Sequence, residues 1–146
     1  MDIVVDTNVF LNVKNKEEPY YTSSRDVLDS IDDGENRAML STVVLAEICA
    51  GYYLTGERKG KEDFLFHVLS SNNYKIVDVN VRIADEAARI RSQTNLRLPD
   101  AIIVATGTTA NAEYIITNDL DSFKKAAKFI KALSPREFLA KLRRRH

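Results

Sequence analysis

Apolar residues along the chain fall into two patterns. Short β-branched runs alternate with longer stretches whose apolar positions recur every three or four residues. The first run, Ile3-Val4-Val5, lies between Asp2 and Asp6 and predicts a buried strand. Val9, Phe10 and Val13 behind Thr7-Asn8 predict a helix that Pro19 breaks. Val27, Leu28 and Ile31 form the stripe of a second helix, with Ser23 and Asp26 spaced as a capping box and Gly34 as its stop. Residues 38–40 read as a second strand, and Ser41-Thr42 as the cap of a helix over 43–54. Gly56 and Gly60 bracket a charged turn, and Phe64, Leu65, Val68 and Leu69 give core spacing to a helix over 61–71. A strand over 74–79 follows Asn72-Asn73. A helix over 81–94 carries Ile83, Ala87 and Ile90. Leu98-Pro99-Asp100 opens a strongly apolar helix to about residue 110, with Pro99 in the turn where its missing N–H is not needed. Residues 113–117 predict a fourth strand and Asn118-Asp119 a short turn or helix. Residues 129–133 predict a fifth strand, and Ser134-Pro135 starts a last helix.

Strands alternating with helices predict an α/β fold, a parallel sheet of about five strands with both faces covered, in a single domain over 1–146. The composition agrees: 45% hydrophobic residues are enough for a core, and with 29% charged residues they exclude a disordered chain. No apolar run approaches the roughly 18–20 residues of a membrane span, and no basic segment followed by an apolar one opens the chain. Cys49 is the only cysteine, so neither an internal disulfide nor a cysteine-rich zinc site can form, and a reducing cytoplasm is expected.

The net charge of zero conceals an asymmetry. Nine of the 21 Lys and Arg residues follow Phe123, against one acid, Glu137, which leaves a body of 12 bases and 20 acids. The basic end, with Arg143, Arg144 and Arg145 at its tip, is either a surface for a polyanion or a solvated terminal helix.

In parallel sheets, ligands bind outside the carboxyl ends of the strands, where strand order reverses. The first strand ends in Asp6-Thr7-Asn8, the second in Ser41-Thr42, the fourth in Thr117-Asn118-Asp119. Glu47 is the only charged residue in a helix of otherwise apolar and small side chains, and Asp100 sits in the first turn of another. Each acid has a purely structural reading. Asp6 and Asp119 suit strand-end turns, Asp100 suits a helix N-terminus, and Glu47, on so apolar a helix, is expected to be buried and either paired with Lys or Arg or bound to a metal. If the four converge, their mutual repulsion calls for a cation. An all-oxygen ligand set selects magnesium or manganese. His67 and His146 are misplaced for zinc. Such a metal can activate a water for attack on phosphorus.

These motifs, Asp6-Thr7-Asn8, Glu47, Leu98-Pro99-Asp100-Ala101 and Thr117-Asn118-Asp119-Leu120-Asp121-Ser122-Phe123, resemble in type and order those of PIN-domain ribonucleases, and most of all the VapC-type toxins of toxin–antitoxin pairs. The resemblance covers essentially the whole chain. It implies a three-layer α/β/α domain and a Mg²⁺- or Mn²⁺-dependent endoribonuclease acting on RNA. Asp6, Glu47, Asp100 and Asp119 match its acidic metal-binding quartet, and Asn8 and Thr117 match supporting residues. Asp121 falls where some members carry a further acid. The resemblance also implies a homodimer and an antitoxin partner.

Three other readings compete. One is a housekeeping ribonuclease of the same family, and another a non-catalytic RNA-binding module. The third, a phosphatase with an aspartyl nucleophile, wants an acid two residues after Asp6, where Asn8 stands. Nucleotide binding by a glycine-rich loop is excluded, because neither GxGxxG nor GxxxxGK[ST] occurs.

Overall fold

A computed structural model of the protein describes residues 1–145; His146 lies outside the described residues. Its strands are β1 (Asp2–Val5), β2 (Arg37–Ser41), β3 (Tyr74–Val77), β4 (Tyr114–Ile116) and β5 (Lys131–Leu133). All are parallel, in the order β3-β2-β1-β4-β5. The chain builds outward from β1 through β2 to β3, then returns to lay β4 on the other side of β1. The order therefore reverses between β1 and β4. Ile3, Val4, Val5, Ile115 and Ile116 are fully buried in those two central strands. This is why both read as short β-branched runs, since each faces helices on both sides.

The helices are α1 (Thr7–Lys14), α2 (Tyr21–Asp32), α3 (Thr42–Leu54), α4 (Arg58–Ser70), α5 (Val81–Thr94), α6 (Leu98–Thr109), α7 (Leu120–Phe123) and α8 (Pro135–Arg145), with a 3-10 turn at Lys124–Ala126. Helix α2 packs against both α1 and α8, and α3 against α1 and α4. Helices α5 and α6 pack together, with α6 against β1, β2 and β4. The three-layer α/β/α arrangement follows. No helix among the described residues is long and apolar enough to cross a membrane.

Several local expectations are corrected. Helix α2 begins at Tyr21, so Ser23 lies inside its first turn, where its hydroxyl donates to the Tyr20 carbonyl at 3.4 Å, and no capping box forms with Asp26. A reciprocal box forms instead at α8. The Ser134 N–H donates to the Glu137 carboxylate and the Glu137 N–H to the Ser134 hydroxyl, each at 3.1 Å. Gly60 lies within α4, which starts at Arg58, and is not the end of a turn. On α4 only Val68 is buried; Leu69 is exposed, as is Phe66. The apolar stripe of this helix is wider than the surface that covers it.

Candidate active site

The β1–β4 register pairs Val5 with Ile116. The next residue on each strand, Asp6 and Thr117, therefore stands at the carboxyl edge of the sheet, at the reversal of strand order. The Asp6 N–H continues the ladder to the Ile116 carbonyl at 2.9 Å. The Asp6 side chain turns back as the N-cap of α1, accepting from the Thr7 N–H at 2.8 Å. Its second oxygen accepts from the Thr117 hydroxyl at 2.9 Å and the Asn8 amide at 3.1 Å. Asp6 is only 7% exposed, and burial, reinforced by the nearby Asp100 and Glu47 carboxylates, pushes its pKa up to about 6.

Thr117 is fully buried and serves three neighbours at once. Its hydroxyl donates to Asp6 and accepts from the Asp119 N–H at 2.9 Å and from Asn8 at 3.3 Å. One hydroxyl thus fixes the end of β1 against the loop after β4. Asn8 closes the frame by accepting from the Asn118 N–H at 3.0 Å. The Asn118 side chain reaches the other way, donating to Asn12 of α1 at 2.7 Å and to Ser24 of α2 at 2.9 Å. Asp119 caps α7, accepting from the Ser122 hydroxyl at 2.6 Å and its N–H at 3.3 Å.

Glu47 corrects the expectation of burial and of a Lys or Arg partner. Together with Ala46 and Ala50 it lies on an exposed part of α3, and its carboxylate accepts from the Thr7 hydroxyl at 2.7 Å. Thr7 thus serves two acids, Asp6 through its backbone and Glu47 through its side chain. Asp100 is 7% exposed in the first turn of α6. Burial raises its pKa against the pull of Arg97, whose guanidinium lies 3.5 Å away; the charges of Asp119 and Glu47 add to the rise. Across the crevice at this edge, Asp6 is coupled to Asp100 and Glu47, and Asp100 to Asp119 and Glu47.

The family model of the PIN domain matches residues 3–129. The chain belongs to the PIN domain family. The fold recurs in solved structures of low identity. A toxin–antitoxin complex from Klebsiella pneumoniae superposes with a TM-score of 0.71 at 20% identity, covering 91% of this chain and 97% of the other. FitAcB from Neisseria gonorrhoeae gives 0.68 at 23% identity over 92% and 98%. VapC20 from Mycobacterium tuberculosis, a sarcin–ricin loop cleaving toxin, gives 0.68 at 16% identity over 88% and 97%. These likenesses show a common fold. No curated protein sequence matches the chain.

Other anticipated residues of this PIN domain stand apart from the crevice. Asp121 has a side chain 92% exposed and pairs with Lys124 at 3.1 Å. His67 is bound to Asp32 at 2.8 Å. Arg144 and Arg145 line a cleft with Met1, Glu113 and Tyr114, at the amino edge of the sheet, while the acids hold the carboxyl edge. Arg143 is exposed on α8 beside Leu139. Asn12 and Ser24, which anchor Asn118, went unremarked in the sequence. A buried polar side chain on an apolar helix face is the one signal that marks them.

As a metal-binding group the crevice has the right chemistry. It offers oxygen donors only, and Asp6 carries a charge penalty that a cation relieves. Among the described residues no three Asp, Glu, His or Cys side chains stand close enough to hold an ion by themselves.

Proposed function

We propose that this PIN domain, spanning 1–146, is a metal-dependent endoribonuclease and the toxin of a type II toxin–antitoxin pair. The observation that carries the reading is the Asp6 carboxyl, buried where strand order reverses, held by Thr117 and Asn8 and pushed up in pKa by burial with the Asp100 and Glu47 charges adding to the rise. A bound Mg²⁺ or Mn²⁺ supplies Lewis-acid stabilisation and activation of a water. Asp6 and Asp119 would hold the ion directly, with Asp100 and Glu47 completing the acid nest. The chain keeps these groups in place through hydroxyls and amides: Thr117 and Asn8 on Asp6, Thr7 on Glu47, Ser122 on Asp119. No histidine is needed as base.

The toxin assignment draws on solved relatives whose descriptions name toxin–antitoxin complexes and an RNA-loop cleaving toxin. It brings with it an antitoxin partner and a cytoplasmic setting, where RNA is available. A homodimer is consistent with the exposed apolar side chains Tyr53, Leu54, Phe66 and Leu69 on α3 and α4.

The test is cleavage of mixed single-stranded RNA by the full chain. Activity is expected with Mg²⁺ or Mn²⁺, is abolished by EDTA and by Asp6→Asn, and survives in His67→Ala. Undiminished cleavage in excess EDTA overturns the metal-dependent reading.

A further inference from the structure

Beside the acids lies a cleft of about 410 Å³, lined by Pro19, Tyr20, Ser23, Asn118, Asp119 and Arg136 among others. Its volume falls within the range of about 300–1,000 Å³ typical of small-ligand clefts. One wall is the start of α2, the other the start of α8, and its floor is the loop that carries Asp119. Two side chains stand out. Tyr20 lines the cleft and is 42% exposed, one of the larger apolar side chains left partly open to solvent. Arg136 is exposed, and among the described residues it forms no ion pair. The other acid of the cleft, Asp121, is engaged by Lys124.

We propose that this cleft is the subsite for the nucleotide next to the scissile phosphate, with Tyr20 stacking on its base and Arg136 binding its phosphate. The proposal rests on the nuclease reading and adds to it that the substrate is single-stranded at this position, because a base can lie on a tyrosine face only when unstacked from its neighbours. Charge limits the subsite to this cleft. Farther along the groove between α2 and α8, Asp26, Asp29 and Asp33 on the α2 bank face Arg143 on the α8 bank, so the strong positive field is lost there. Arg136, at the first turn of α8, is the base that the fold brings to the Asp119 edge of the groove.

The two contacts carry different signatures, and both are read from anisotropy titrations of a labelled single-stranded oligoribonucleotide in EDTA at several salt concentrations, paired with cleavage kinetics in Mg²⁺. Tyr20→Ala is expected to weaken binding about tenfold with an unchanged salt slope, and Tyr20→Phe to restore it. Arg136→Gln is expected to flatten the slope of log affinity against log salt by about 0.7, the single-strand value for one phosphate. In cleavage both raise KM more than they lower kcat. Should Tyr20→Ala melt early, Tyr20→Leu keeps the apolar contact without the flat ring and is expected to bind as poorly. If the wild type cleaves while these variants bind and cleave like it, the subsite is wrong and the nuclease reading stands. If the wild type neither binds nor cleaves RNA, the nuclease reading falls, and this proposal with it.

Discussion

Asp6 shows how much of this site is decided by one carboxyl group. Its environment supplies three hydrogen-bond donors, yet burial outweighs them and the pKa rises from 3.8 to about 6. A carboxyl whose pKa is higher in the folded state binds its proton more tightly there. Its contribution to stability is complete below about pH 3.8 and is lost as pH rises through 6. Over that window the loss is about 3 kcal/mol. Thermal melts of the metal-free protein are therefore expected to show stability falling between pH 4 and 6.5, and Asp6→Asn to flatten that fall whatever its absolute stability. A slope unchanged by the substitution shows that Asp6 is not the titrating group. The sequence singles out the four acids because charged residues at strand ends and on an apolar helix are conspicuous. The roles of Thr7 and Thr117 are less so. Thr117 serves Asp6 only because β4 lies beside β1, and that adjacency is a property of sheet order, not of local sequence. Glu47 was misread as buried because the composition of α3 hides its exposed face.

At the scale of elements, boundaries held where a side chain marks them. The helix over 81–94 was recovered in full: Asn80 caps it through the Ile83 N–H at 2.9 Å, and Asn95 ends it in the left-handed region with φ 58°. Strands over-ran where apolar residues continue past the last ladder bond. Residues 129–133 shrink to Lys131–Leu133, because Phe129 and Ile130 donate their N–H groups to the Ala126 carbonyl in a turn. Helix α8 shows both kinds of information at once. Its capping box is written in Ser134 and Glu137, and it docks by Phe138, fully buried with its ring edge-on to Tyr114 at 6.5 Å. Ser134→Ala is expected to cost about 1 kcal/mol of unfolding free energy, and Phe138→Ala about 3–5 kcal/mol. Urea denaturation measures both. Near-equal losses from the two would mean that the cap, not the docking, holds this helix.

Over the whole molecule, the charge asymmetry takes on a direction that counting could not give. The basic end is a helix of 11 residues, about 16 Å long, that starts near the acids and runs back to the opposite edge of the sheet. Arg144 and Arg145 therefore lie at the far edge, Arg143 lies along the groove between α2 and α8, and Arg136 is beside the acids. An RNA of a few nucleotides seated at the acids is too short to meet the far end of α8, whereas a long one can follow the surface to it. Replacing Arg143, Arg144 and Arg145 together by Gln leaves Phe138, Leu139 and Leu142, the apolar residues of the helix, untouched. The triple variant is expected to bind a trinucleotide as the wild type does, and to bind a long single strand more weakly with a shallower salt dependence, because up to three phosphate contacts are lost. Turnover at saturating RNA should hardly change. The decisive comparison is the difference between the two lengths, measured with one protein preparation. Equal weakening for both means that the tip acts on the crevice through the global field rather than by contact. No weakening for either makes the far end of α8 a solvated face, leaving Arg136 as its only base at the crevice.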